Sequence, residues 1–144
     1  MKNRCLGCME LYDEELEICP YCGFIKGTPA DEVIHISPGT VIGNRYVVGK
    51  VLGYGGFGVT YIGWDDLLKR KIAIKEYLPS EFSTRMPGHT MVTVLKGDKK
   101  EQFESGMKKF VEEARKLAKF QNEEGIVKVY DSFEENETAY IIME

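Results

Sequence analysis

Two groups of residues in this 144-residue chain have the types and the spacing to do chemistry. The first runs from Leu52 to Lys75. Gly53, Gly55 and Gly58 follow the G-x-G-x-x-G spacing, with Gly56 and the aromatic Phe57 between the last two. Glycines so placed let backbone N–H groups approach a phosphate that any Cβ would hold away. Behind them comes a β-branched and aromatic run, Val59-Thr60-Tyr61-Ile62, then a charged turn, then Ile72-Ala73-Ile74-Lys75, an apolar strand ending in one ammonium. Strand alternation sets Ile72 and Ile74 on one face and Ala73 and Lys75 on the other. No helix opens after the glycines, which excludes the dinucleotide-binding and P-loop arrangements. An ordinary hairpin needs one or two glycines, and four in six positions exceed that need.

The second group is Cys5-x-x-Cys8 and Cys19-x-x-Cys22, which together hold all four cysteines of the chain. Each pair puts two sulfurs on one tight knuckle, and two knuckles supply the four thiolates of a tetrahedral zinc site. In the second knuckle Pro20 fixes the turn and Gly23 lets amides point back at sulfur. A disulfide-bonded secreted module and a rubredoxin-like iron site use the same residues. The N-terminus, Met-Lys-Asn-Arg, carries no apolar leader, which weighs against secretion and toward zinc. A segment this short buries too little apolar surface to fold unaided, so metal binding is expected to supply its folding free energy.

The cysteine segment resembles the zinc ribbons. The stretch Leu52 to Lys75, continuing into Glu76-Tyr77-Leu78-Pro79, resembles the amino-terminal lobe of the bacterial (Hanks-type) serine/threonine protein kinases. That resemblance implies a glycine loop over ATP and a strand lysine, Lys75, on its α- and β-phosphates. It also implies an adenine slot lined by Leu52, Thr60, Ala73 and Met143, with Met143 and Glu144 as gatekeeper and first hinge residue. Thr60 stands where the family motif usually has valine. By the Phe-x-x-Glu-Ala pattern the lysine's partner is Glu113, 38 positions on, a longer interval than is usual. The excess holds a turn, Met86-Pro87-Gly88-His89, and an alternating run, Thr90 to Leu95, expected as an extra strand or hairpin.

These residues need a particular set of elements to hold them. The expected fold is α+β: a kinase N-lobe of about five antiparallel strands with one long helix, preceded by the ribbon. Residues 1–28 form the ribbon, 29–36 a breaker-rich linker containing His35, and 37–144 the lobe. Asp98-x-x-Glu101 reads as a capping box. Phe103, Met107, Phe110, Val111, Ala114, Leu117 and Ala118 then recur at helical spacing. On that phase Glu113, rather than Glu112, faces the sheet. Ile126–Tyr130 and Ala139–Met143 read as the last two strands, with 121–125 in place of the family's His-Pro-Asn turn.

A hydrophobic fraction of 43% with 29% charged residues describes a globular chain. The net charge of −4, with five acids against three bases in residues 1–28, argues against nucleic acid as a partner. No apolar run reaches membrane-spanning length, and a cytoplasmic location is expected. The implied cofactors are Mg-ATP and zinc, and the implied partners are an unknown protein substrate and the kinase's own C-lobe. The catalytic loop and metal-binding residues of the family lie after the hinge, so these 144 residues are expected to be inactive alone and to self-associate through the uncovered slot. The alternative is a pseudokinase-like platform that binds proteins and has no use for nucleotide.

Overall fold

The computed structural model describes residues 1–120, 124–125 and 127–144. The cysteine segment opens with a small antiparallel pair, β1 (Lys2–Arg4) and β2 (Leu11–Asp13). The lobe is a six-stranded antiparallel sheet in the order β3-β4-β5-β6-β10-β9. Its strands are β3 (Val41–Ile42), β4 (Tyr46–Gly55), β5 (Gly58–Asp65), β6 (Arg70–Tyr77), β9 (Val129–Glu135) and β10 (Thr138–Met143). The two-residue β3 is the strand beyond the expected five. The insertion folds as a separate hairpin-like pair, β7 (Ser83–Arg85) with β8 (Val92–Val94). The expected strand from Ile126 begins instead at Val129. Gln121, Asn122, Glu123 and Ile126, on which the expected turn and strand start fall, lie outside the described residues.

The helix α1 (Asp98–Lys119), the only one among the described residues, lies across one face of the sheet. Tyr77 joins the two, its ring 5.0 Å from Phe103 and 5.5 Å from Phe110 and its hydroxyl donating to the Phe103 carbonyl at 2.9 Å. Ala114 packs in a cluster with Val129 and Ile141, as the helical spacing requires. The expected capping box does not form. Gly97, at φ 80°, takes the N-cap with no side-chain bond, which moves Asp98 into the first turn. There Asp98 and Glu101 still favour the helix through its dipole, but neither accepts a capping bond.

The opposite face is covered by the segment around residues 34–36 and the insertion. Ile36 and Ile42 are buried with Val48, Tyr61, Ile72, Ile74 and Ile142. The linker is therefore packed on the lobe, and the Ile36 amide donates to the Tyr61 hydroxyl at 2.9 Å. A polar network lies within this apolar layer. Glu76 and Arg85, both fully buried, pair at 2.6 Å, and the hydroxyls of Tyr61 (2.9 Å) and Tyr140 (2.7 Å) also donate to Glu76. Arg85 also donates to the carbonyls of Thr90 and Ile34, each at 2.8 Å. Insertion, linker and strand β6 are thus tied at one point.

Candidate functional site

The glycine turn is the tip of the β4–β5 hairpin, with Gly55 opposite Gly58 and Gly56-Phe57 as the connection. It is a hairpin turn after all, yet the hairpin does not explain its glycines. Among the four only Gly58 has an internal reason, since a Cβ there would run into the Glu76 carbonyl oxygen. Gly53, Gly55 and Gly56 have no positive φ, and a Cβ on any of them would meet nothing within 4 Å. What their small size leaves free is the roof of a cavity of about 880 Å³. Gly58, Thr60, Phe57 and Lys75 line it from the sheet side, and Glu101, Ser105, Gly106, Lys109, Phe110 and Glu113 from the helix. That volume suits a small organic ligand.

Lys75 and Glu113 face this one cavity, and Glu112 is turned to a different surface hollow. The two do not form an ion pair: among the described residues no acid lies within ion-pair distance of the Lys75 ammonium. Its Nζ sits 6.0 Å from the centroid of the Phe110 ring instead. Leu52, Ala73, Met143 and Glu144 do not line the cavity. Ala73 and Met143 are register partners across β6 and β10, and Leu52 is 54% exposed. The expected base end is thus an open shelf beside the cavity, and Lys75 is the cation standing at the junction.

Sequence reasoning missed how the glycine turn is supported from behind. Tyr54, between Gly53 and Gly55, sets its ring edge-on to His35 at 4.8 Å and its hydroxyl 3.3 Å from the Glu32 carboxylate. His35 is 4% exposed and its Nδ1 has no hydrogen-bond partner. Burial is the main cause that lowers its pKa, opposed by the carboxylates of Glu32, Asp31 and Glu76. A histidine in an apolar run, Val33 to Ile36, was the available signal. The Glu76–Arg85 pair had one too, because alternation puts Glu76 on the buried face of Ile72 and Ile74.

The four cysteine sulfurs lie within 4.8 Å of one another. Cys5 and Cys22 are 3.6 Å apart and Cys8 and Cys19 3.8 Å. A disulfide is near 2 Å, whereas four thiolates at ~2.3 Å from one ion stand roughly 3.8 Å apart, so the donor set fits a tetrahedral cation. The Gly7 amide points at Cys5 Sγ (3.2 Å) and the Tyr21 amide at Cys19 Sγ (3.4 Å). Burial pushes the Cys5 and Cys8 thiols up, Cys8 to about 12. At Cys19 desolvation is outweighed by the amides of Tyr21 and Cys22, and its pKa is lowered to about 7.

Comparison with known proteins bears on the fold of the lobe. No family model matches the chain. Over 106 residues it is 34% identical to a probable serine/threonine-protein kinase of Clostridium acetobutylicum, covering 74% of this chain and 13% of that protein. The solved structure of PpkA-294 in its apo form is similar at a TM-score of 0.72 and 32% identity, over 77% of this chain and 38% of that one. The chain thus spans well under half the length of either of these two proteins. It contains a domain built like a kinase N-lobe and related to the bacterial serine/threonine kinases, with a four-cysteine cluster able to hold a metal such as zinc.

Proposed function

We propose that residues 37–144 are the ATP-binding lobe of a bacterial-type serine/threonine protein kinase, whose whole chain transfers the γ-phosphoryl of Mg-ATP to a protein hydroxyl. The observation that carries this is the roof of the cavity. Three glycines with ordinary backbone angles and empty space beside them serve no internal purpose, and they line the same cavity as Lys75, the cation that β6 delivers to it. Phosphate oxygens under Gly53, Gly55 and Gly56 would meet backbone amides, and Lys75 would bind and orient the α- and β-phosphates. Thr60, Ala73 and Leu52 would bracket the base, with Met143 and Glu144 at its edge. Bound Mg-ATP supplies the transferable phosphoryl group. Glu113 already faces Lys75 across the cavity, and an inward shift of α1 would pair them and fix the ammonium.

For the cysteine cluster we propose zinc, on the separations of the sulfurs and the amides aimed at them. Thiolates and ATP alike suit a reducing, nucleotide-containing compartment, which supports a cytoplasmic location. The open Lys75–Glu113 pair favours a second reading, a lobe that binds proteins and has no use for nucleotide. Titration with Mg-ATP separates the two: saturable binding that falls at least tenfold in Lys75→Met supports the kinase lobe. Absence of binding in both forms supports the platform.

A further inference from the structure

Strand β4 carries a bulge where the ribbon meets the lobe. The pairs Val48↔Gly63 and Val51↔Tyr61 leave Gly49 and Lys50 together opposite the single residue Ile62. Such an extra residue frees a backbone group from the ladder. Here the freed Lys50 amide donates at 2.8 Å to the carbonyl of Leu6, which lies inside the first knuckle between Cys5 and Cys8. Gly49 makes the approach possible, because a Cβ there would run into the Leu6 carbonyl oxygen, Met9 Cε (2.6 Å) and Ile62 Cγ2 (2.8 Å). Met9 is held at φ 67°, an uncommon angle for a side-chain-bearing residue, and is 1% exposed. Its carbonyl accepts from Arg4 at 2.6 Å, and the Arg4 guanidinium lies 3.5 Å over the Trp64 ring. The sequence places a ribbon and a lobe in series; this contact makes them one body.

The dock lies on the cavity's own face of the sheet. Thr60 lines the cavity, and by alternation Ile62 and Trp64 follow it on the same face, paired with Ala73 and Lys71. Ile62, on which the ribbon packs, is the register partner of Ala73, one of the residues proposed to bracket the base. Along β4, Lys50 is two residues from Leu52 and three from Gly53.

We propose that the four-cysteine ribbon is a buttress of the nucleotide cleft, so that metal loading and nucleotide binding are linked through the contact of Leu6 and Met9 with the β4 bulge. The proposal rests on the nucleotide and metal readings given above. Without the ion the knuckle has too little core to hold its shape. The Leu6 carbonyl then leaves Lys50, and Ile62 and Trp64 lose their cover. The strand that carries Gly53 and Gly55 loosens where it enters the turn. Linkage is reciprocal, so nucleotide must tighten metal by the factor by which metal tightens nucleotide.

The test titrates Mg-ATP into the whole 144-residue chain, zinc-loaded and after stripping with a chelator that is then dialysed away, thiols kept reduced throughout. The loaded form is expected to bind at least about fivefold tighter, the low end of measured couplings. Gly49→Val undocks the ribbon by pressing on Leu6, Met9 and Ile62, and meets neither a cysteine sulfur nor a residue lining the cavity. It is expected to keep one zinc per chain, to bind Mg-ATP like the stripped protein and to be indifferent to stripping. Should Gly49→Val fail to fold, Trp64→Ala removes the Arg4 stacking surface, and the difference between loaded and stripped forms is expected to shrink. Equal Mg-ATP affinity in loaded and stripped wild type overturns the linkage and leaves the nucleotide reading standing. No binding by the loaded protein overturns the nucleotide reading. Amide exchange at Lys50, followed without nucleotide, then still tests the buttress: acceleration on stripping supports it and an unchanged rate refutes it.

Discussion

Replacing Arg85 by Met should be among the most damaging single substitutions in the lobe, although its hydrogen-bond partners, Glu76, Ile34 and Thr90, do not line the cavity. The side chain is fully buried and makes four hydrogen bonds, two to Glu76 at 2.6 and 3.1 Å and one each to the carbonyls of Ile34 and Thr90. Methionine fills similar space with no donor. Glu76 would keep only the hydroxyls of Tyr61 and Tyr140, and two half-buried carbonyls, of Ile34 and Thr90, would lose their partner. Breaking a buried pair by removing one side costs about 3–5 kcal/mol, and each stranded carbonyl adds roughly 1 kcal/mol. We therefore expect a loss of at least about 5 kcal/mol, a large part of the ~5–15 kcal/mol that holds an ordinary domain folded. Urea unfolding of the zinc-loaded chain, monitored by the fluorescence of Trp64, reads it directly. The double variant Glu76→Leu with Arg85→Met removes both charges and should cost at least about 2 kcal/mol less than the sum of the two single changes, because no charge is left stranded. A loss under about 1 kcal/mol in Arg85→Met, or additive costs in the double variant, would refute the view that this pair fastens linker and insertion to the back of the strand that presents Lys75.

Two further expectations follow from the site. Gly55→Val, at a position where a Cβ meets nothing, should leave stability within about 0.5 kcal/mol of wild type. It should also weaken Mg-ATP binding at least tenfold; a large loss of stability, or unchanged affinity, would contradict a glycine kept for its ligand. His35 is buried with its pKa lowered, mainly by desolvation, so the unfolded chain binds its proton more readily than the folded one. Stability should then rise with pH across the histidine range and fall as pH drops below about 6.5, the unfolded value. Denaturation midpoints between pH 7.5 and 5 should show this slope in wild type and a flatter one in His35→Phe, which keeps a ring against Tyr54.

The residues able to do chemistry were legible in the sequence because their spacing is local. Two knuckles of C-x-x-C, a glycine turn and an alternating strand ending in Lys75 are short-range patterns, and a few residues fix their geometry. Helix phase likewise sets Glu113, and not Glu112, toward the cavity. Periodicity also found α1 while misreading its first residue, since Gly97 was free to take a cap angle that no side-chain pattern encodes. What lay beyond reach were contacts between segments far apart in the chain. Whether Lys75 pairs with Glu113 depends on how closely α1 packs, and packing leaves the ammonium by Phe110 instead. The burial of Glu76 with Arg85 needs an insertion folded back on the sheet. The seating of Leu6 on Lys50 needs a bulge whose position only the pairing of β4 with β5 decides. Local spacing specifies which atoms are able to act; the sum of many weak long-range contacts decides which of them meet.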